Sequence, residues 1–389
     1  MRASRPTHAK DVGQSVVVGS DSPDALICAV LRGEGAAWPE NSVPSFVTAF
    51  LERARYHGVE ALLHERLVRM QGWPAIVREV LHREALAAGM WEMRDQAVLR
   101  SVLDALAGIG VRPIVFKGAA LAYSVYTNPV LRSRADNDLL ILPRDRTKVT
   151  NALESLGFVR GHGIPGKFTS YQSNYTLNAT DGSEHSIDLH WKISNFELLS
   201  RLFLYEELLN RSAQLSQLHP DAIGAGAVDA LLLACMHRAG HKRYGEADRL
   251  IWLYDINLLA QSFTSAQWES LVRRATEKGL CATTREGLER AEQCFFKRCP
   301  EEVRIDLSKT GEPVATYFDA GALRQTWIDF LAIGATADRL RFGRELFFPP
   351  AAYMLSKYPE AHTAWLPWLY ARRAMGGLWN RLRHDRRAK

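Results

Sequence analysis

"RSRADNDLLILPRD", residues 132–145, places two aspartates, Asp136 and Asp138, one residue apart at the entrance to an apolar run that Pro143 closes. A short apolar run bounded by turn residues reads as a buried strand. On a strand, residues i and i+2 project from one face, so Asp136 and Asp138 share a face. Two carboxylates held that close resist joint ionisation. A divalent cation relieves the conflict, and Mg²⁺ takes carboxylates together with substrate phosphate oxygens. A D-x-D taken alone also reads as a solvated turn or a helix cap, so its surroundings decide.

Upstream, "VRPIVFKG" (111–118) is a short β-rich run ending in Lys117 and Gly118, and "AALAYSVYTN" (119–128) is a short helix halted before Pro129. Gly118 allows close backbone approach, a helix start offers free N–H groups to an anion, and Lys117 could neutralise a phosphate. The other reading is a routine strand–helix turn with a solvated lysine. Downstream, "RDRTKVTNALESLGF" (144–158) is an amphipathic helix stopping at Gly157. "FTSYQSNYTLNAT" (168–180) and "EHSIDLHWKI" (184–193) read as strands around Asp181-Gly182, a hairpin signal. In the second, Ile187, Leu189 and Trp191 alternate with Asp188 and His190, so the apolar set packs on helices while the polar pair faces the other way. If this strand neighbours the D-x-D strand, Asp188 brings a third carboxylate to the same pocket. Carboxylates on adjacent strands can hold two metal ions for an in-line displacement at phosphorus.

The order strand, helix, strand, helix, strand, strand predicts an α+β core over 109–195, a small mixed sheet with helices on one face. Helical texture flanks it at 23–108 and 196–371. "WPAIVREVLHREALAAGMWEMRDQAVLRSVLDALAGIG" (73–110) is one long helix or two joined near Gly89. In "MHRAGHKRYGEADRLIWLYDINLL" (236–259), His237 and His241 share a helix face, but the Glu of an H-E-x-x-H metal motif is missing. His241, Arg249 and Asp255 are candidates to contact nucleotide or acceptor from the wall opposite the sheet. The alternative is a buried network joining two helices; Trp252 reads as core.

The chain has 389 residues and a net charge of +6, but the last nineteen, "ARRAMGGLWNRLRHDRRAK", hold seven Lys/Arg against one Asp. The rest is close to neutral, which points away from a nucleic-acid groove. The basic tail, 372–389, is a candidate for weak contact with an anionic membrane surface. Residues 1–22 are polar and expected to be disordered. Five irregularly spaced cysteines, without a Cys-x-x-Cys pair, indicate neither a zinc ribbon nor a disulfide framework. No secretory leader and no membrane span are expected, which makes a reducing cytoplasm the default location.

Together, Lys117-Gly118, Arg134-Ala-Asp136-Asn-Asp138 and Asp188-Leu189-His190-Trp191 resemble the nucleotidyltransferase superfamily typified by DNA polymerase β. More closely, they are similar to an uncharacterised bacterial family within it. The superfamily resemblance covers roughly residues 100–195, and the family-level resemblance extends more weakly into the flanking helices. It implies that Asp136 and Asp138 bind Mg²⁺ and the triphosphate, that two ions act in turnover, and that Asp188 completes the second metal site and helps activate an acceptor hydroxyl. Lys117 and Gly118 would hold phosphates with help from Arg134, and His190 would join the nucleotide site. The implied donor is an NTP, ATP before others, and the acceptor a small molecule or protein. Two departures stand out. The phosphate turn has a lysine where the superfamily has paired small residues, and polar Asn137 separates the aspartates. A binding or regulatory protein on a degenerate transferase fold is the competing reading. A sugar-nucleotide glycosyltransferase is disfavoured, because the long parallel domain it needs is not found.

Overall fold

The computed structural model describes residues 22–40, 43–161, 168–244, 246–295, 299–308, 311–358 and 365–387. The stretch expected to be disordered, 1–22, lies outside them apart from Ser22. One mixed sheet organises the chain: β1 (Ile114–Phe116), β2 (Asn137–Leu140), β3 (Val159–Arg160), β4 (Gln172–Asn178), β5 (Glu184–His190), β6 (Ala213–Gln214) and β7 (Ile223–Gly224). Their spatial order is β3-β4-β5-β2-β1-β7-β6. The β2–β5 and β1–β7 pairs are parallel and the remaining pairs antiparallel. With helices on both sides in sequence, this is the expected α+β core.

β2 lies between β1 and β5 and is buried at every position. A strand covered on both faces carries no strict polar–apolar alternation, so its apolar run is continuous after Asp138. One face of the sheet packs on the long helix Ala75–Gly108 and on helix Arg146–Ser155. Leu99, Val102, Leu106, Val149 and Leu153 meet Val115, Leu139, Ile187 and Leu189 there. The long helix runs through Gly89 without a break: a glycine interior to a helix disfavours it by only about 1 kcal/mol, less than this packing returns. Alternation along β2 and β5 then turns Asp138, Asp188 and His190 to the opposite face.

Beyond that face lies a larger core shared by both helical flanks, in which Ile27, Phe50, Leu62 and Leu81 pack with Leu231, Leu253 and Leu288. The two flanks are therefore one helical body around the sheet. The strands β6 and β7 correct the expectation that helix resumes directly after residue 195. They have two residues each, and a two-residue strand has no periodicity to read. At the far end, helix Leu366–Arg387 runs straight through the expected boundary at Arg372, and side chains beyond Gly377 lie outside the described residues. Leu369 is buried there while Trp365 and Trp368 are exposed, so only part of this segment packs on the fold. Among the described residues no helix is long and apolar enough to cross a membrane.

The seam between the flanks is polar. Asp24 accepts from Arg53 Nε and Nη2 at 2.7 and 2.6 Å and lies 3.2 Å from His57 Nε2, while His57 Nδ1 accepts from Leu250 N at 3.1 Å. Burial works against the Asp24 carboxylate, but His57 and Arg53 hold its pKa down at about 2. A depressed carboxyl contributes stability above its unfolded value and loses it as pH falls through the folded one. Discounted for solvent screening, the contribution is about 1–2 kcal/mol. Urea unfolding of wild type and Asp24→Asn should therefore differ by that amount at pH 7. The difference should close as pH falls from about 4 to about 2. A difference constant down to the lowest pH would mean the carboxylate charge is not what holds the seam.

Candidate active site

The parallel register of β2 and β5 sets Asp138 opposite Asp188 and Leu140 opposite His190. On the other side of β2, Phe116 of β1 pairs with Asp138, which brings the following residue, Lys117, beside the same carboxylate. Asp138 Oδ1 accepts from Lys117 Nζ at 2.6 Å and from His190 Nε2 at 2.8 Å. Asp188 accepts from Gln172 Nε2 at 3.2 Å and Asn174 Nδ2 at 2.8 Å, both side chains on β4. One ligand atom each of Asp138, Asp188 and His190 lies within 4.8 Å of the others. Asp136, one residue before β2, is half-buried and makes no hydrogen bond or ion pair with the described residues. The tight triad is thus Asp138, Asp188 and His190, with Asp136 at its edge, rather than the three aspartates alone.

The electrostatics of the cluster are those of crowded carboxylates beside one lysine ammonium. Burial, then the charges of Asp138 and Asp188, push the Asp136 carboxyl up to about 6. Burial also opposes the charge on Asp138, but Lys117 and His190 overcome it and hold that carboxyl well below the usual range. Burial and the Lys117 ammonium hold the His190 imidazole below its ordinary value. His190 is therefore written neutral, with Nε2–H donating to Asp138; its Nδ1 is a buried acceptor without a partner. Clustered carboxylates that already draw a lysine ammonium fit a divalent cation, and the oxygen donors of Asp138 and Asp188 suit Mg²⁺.

A cavity of about 490 Å³ opens beside the cluster. Lys117, Gly118, Arg132, Asp136 and Asp138 line its sheet side, and His237, His241, Arg249, Trp252 and Asp255 its helical side. The helical wall comes from helices Ala227–Gly240 and Leu250–Gln261, or from the segment joining them. Arg132 Nε reaches both Asp255 oxygens at 2.8 and 3.0 Å, and Tyr126 Oη donates to the same carboxylate at 2.7 Å. This buried pair fixes a guanidinium against Gly118, where an added Cβ would meet it at 3.5 Å.

A profile of the family described as uncharacterised nucleotidyltransferase matches residues 46–296. The chain belongs to that family. The match spans more than half of the chain and contains the whole sheet, the carboxylate cluster and both cavity walls. No curated protein matches the chain.

In this member of the family several candidate residues sit where the sequence places them and others do not. Lys117, Gly118, Asp136, Asp138, His241, Arg249 and Asp255 all line the cavity, and Asp188 and His190 adjoin it. Asp255 is spent on Arg132 and Tyr126, so its carboxylate anchors the wall rather than offering itself to a ligand. Arg249 likewise donates Nε to Tyr56 O at 2.8 Å. Arg134 lines the cavity as well. Its guanidinium is turned toward the long helix, 2.6 Å from Glu92 Oε2 and 3.1 Å from Asp95 Oδ2, with a side chain only 2% exposed. Asn137 donates to Asp95 at 2.8 Å and accepts from Arg134 Nε at 3.2 Å. The polar residue between the aspartates is therefore fully partnered, and it tethers the D-x-D strand to the long helix.

The phosphate turn also differs from expectation. Lys117 itself takes the left-handed conformation, φ 52, and Gly118 does not. That region disfavours a side chain with a Cβ by about 1–2 kcal/mol. The helix that follows, Lys117–Ala122, has six residues and little macrodipole to offer an anion. The cations that line the cavity are Lys117, Arg132, Arg134 and Arg249. Arg132 went unassigned in sequence because it lies two residues before Arg134 and nothing local separates their directions. Trp252 is buried in the core, as read, and also lines the wall, with His237 and His241 packed on it, ring centroids 4.9 and 4.4 Å away.

Proposed function

We propose that the protein is a metal-dependent nucleotidyltransferase that moves a nucleoside monophosphate from an NTP to a hydroxyl acceptor and releases pyrophosphate. The acceptor oxygen forms a bond to the α-phosphorus as the bond to the pyrophosphate oxygen breaks, and the hydroxyl proton leaves to a base. What carries the reading is the β2–β5 register, which sets Asp188 across from Asp138 in a chain of this family. Asp138 and Asp188, with Asp136 beside them, would hold Mg²⁺, and bound cations would supply charge stabilisation to the phosphoryl oxygens and the leaving group. Asp188 would help draw the proton from the acceptor. Arg132, already oriented by Asp255, presents a fixed cation to the phosphates without reorganising. His237, His241 and Trp252 offer aromatic faces for the nucleobase. Arg134 acts through Asn137, as a positioning residue.

The near-neutral fold supports a small-molecule or protein acceptor over a nucleic acid, and ATP is the first donor to test. Five free, buried cysteines agree with a reducing cytoplasm. Exposed Trp365 and Trp368 beside Arg372 and Arg373 support weak contact of the last helix with an anionic membrane surface.

The test is incubation of the protein with Mg²⁺, cell extract and ATP labelled on either the α- or the γ-phosphate. Label from the α position should enter an acceptor and label from the γ position should leave as pyrophosphate, with both lost on chelation. Transfer of γ-label would instead make the protein a kinase. The Lys117–Asp138 contact favours a second reading, a binding or regulatory protein on a degenerate transferase fold that no longer takes an NTP with Mg²⁺. Such a protein would show no Mg²⁺-dependent thermal shift with any nucleotide.

A further inference from the structure

Among the described residues, Lys117 is the one position other than glycine with positive φ. Strain of this kind persists where surrounding contacts impose it, and it concentrates at functional sites. Here the contact is with the carboxylate at the centre of the cluster: Nζ lies 2.6 Å from Asp138 Oδ1, the oxygen that also accepts from His190. The cluster offers that ammonium three acidic neighbours, since Asp136 and Asp188 act on it as well as Asp138.

On the reading that Asp138 and Asp188 hold the cation of a transferase, we propose that Lys117 is an internal counter-cation that competes with the metal for Asp138. A divalent ion ligated by Asp138 Oδ1 and an ammonium at 2.6 Å from that oxygen would repel at contact distance. The metal therefore enters as Lys117 lets go. A lysine suits this exchange because it is a point charge on a flexible stem. The released ammonium has the cavity beside Gly118 and Arg132 to move into. In the meantime it offsets the repulsion among Asp136, Asp138 and Asp188. A metal-free site then carries less net negative charge, and free metal binds it more weakly than its donors would allow.

The experiment uses the full chain without nucleotide and Mn²⁺ as a paramagnetic probe. Free Mn²⁺ is followed by its electron paramagnetic resonance signal for wild type, Lys117→Gly, Lys117→Met and Asp138→Asn. Glycine removes the charge and suits the left-handed backbone, whereas methionine removes the charge and keeps the stem and the strain. Both Lys117 variants should bind Mn²⁺ about tenfold or more tighter than wild type. Mn²⁺ should also raise their melting temperatures more than it raises that of wild type. Asp138→Asn should bind more weakly than all three. Equal affinity of wild type and both Lys117 variants overturns the counter-cation while leaving the metal site standing. A gain confined to Lys117→Gly assigns the effect to backbone strain and also overturns it. Saturable binding by none of the proteins removes the metal site and the proposal together.

Discussion

Asp138→Asn is expected to lower the rate of nucleotide transfer at least a thousandfold, which is about 4 kcal/mol of transition-state stabilisation. Removing a single charge-stabilising group from a site of this kind typically costs a hundred- to a thousandfold (about 3–4 kcal/mol), and Asp138 is the residue on which the others converge. It pairs in register with Asp188, takes the Lys117 ammonium and the His190 ring, and lies on a strand buried at every position. Asparagine keeps the shape and an acceptor oxygen for His190 Nε2–H, so the fold should persist. The variant's circular dichroism and melting curve should establish that, and the release of pyrophosphate from an NTP should report the rate. Asp136→Asn should likewise abolish turnover in a folded protein. Wild-type rates in either variant would remove the catalytic role assigned to the pair.

Asp95→Ala is expected to have the largest effect on stability, about 3–5 kcal/mol. Asp95 is fully buried on the long helix and serves three partners: Arg134 Nη2 at 3.1 Å, Asn137 Nδ2 at 2.8 Å and His185 Nδ1 at 3.0 Å. Alanine is the better helix former, by a few tenths of a kcal/mol up to about 0.7. That gain is small against a buried amide and an imidazole left without a carboxylate. Arg134 would keep Glu92, and its ring neighbours Trp91 and Tyr123, so the collapse is not total. Denaturant titration of Asp95→Ala should show the loss, and Asp95→Asn should lose less because it retains an acceptor. A change under about 1 kcal/mol would mean water replaces the network and that it is not buried as described. The effect would extend to the active site, because Asn137 lies between the two aspartates.

The sheet was legible where its strands are long or strongly punctuated. Asp181-Gly182 marks the β4–β5 hairpin, with Gly182 at φ 83. The alternation of Ile187, Leu189 and Trp191 against Asp188 and His190 marks which face each residue takes, and Ile187 and Leu189 do pack toward the long helix. The strands β6 and β7 escaped because each has only two residues, and β7 is set by its register with β1, more than 100 residues away, not by local pattern. The same limit explains Arg132 and Arg134. Both precede the D-x-D by a few residues and both are buried cations, yet one meets Asp255 from the helical wall and the other Glu92 and Asp95 from the long helix.

Chain order and side-chain period carried the α+β class, the polar face of β5 and the pairing of carboxylates one residue apart, because these depend on neighbours along the backbone. The convergence of Asp138 with Asp188 needed a strand register. The different partners of Arg132 and Arg134, the use of Asp255 as an anchor, the left-handed turn at Lys117 and the cavity itself needed helices brought from both ends of the chain. Those features are set by which buried charge finds which partner, a contest among groups far apart in sequence that no local spacing records.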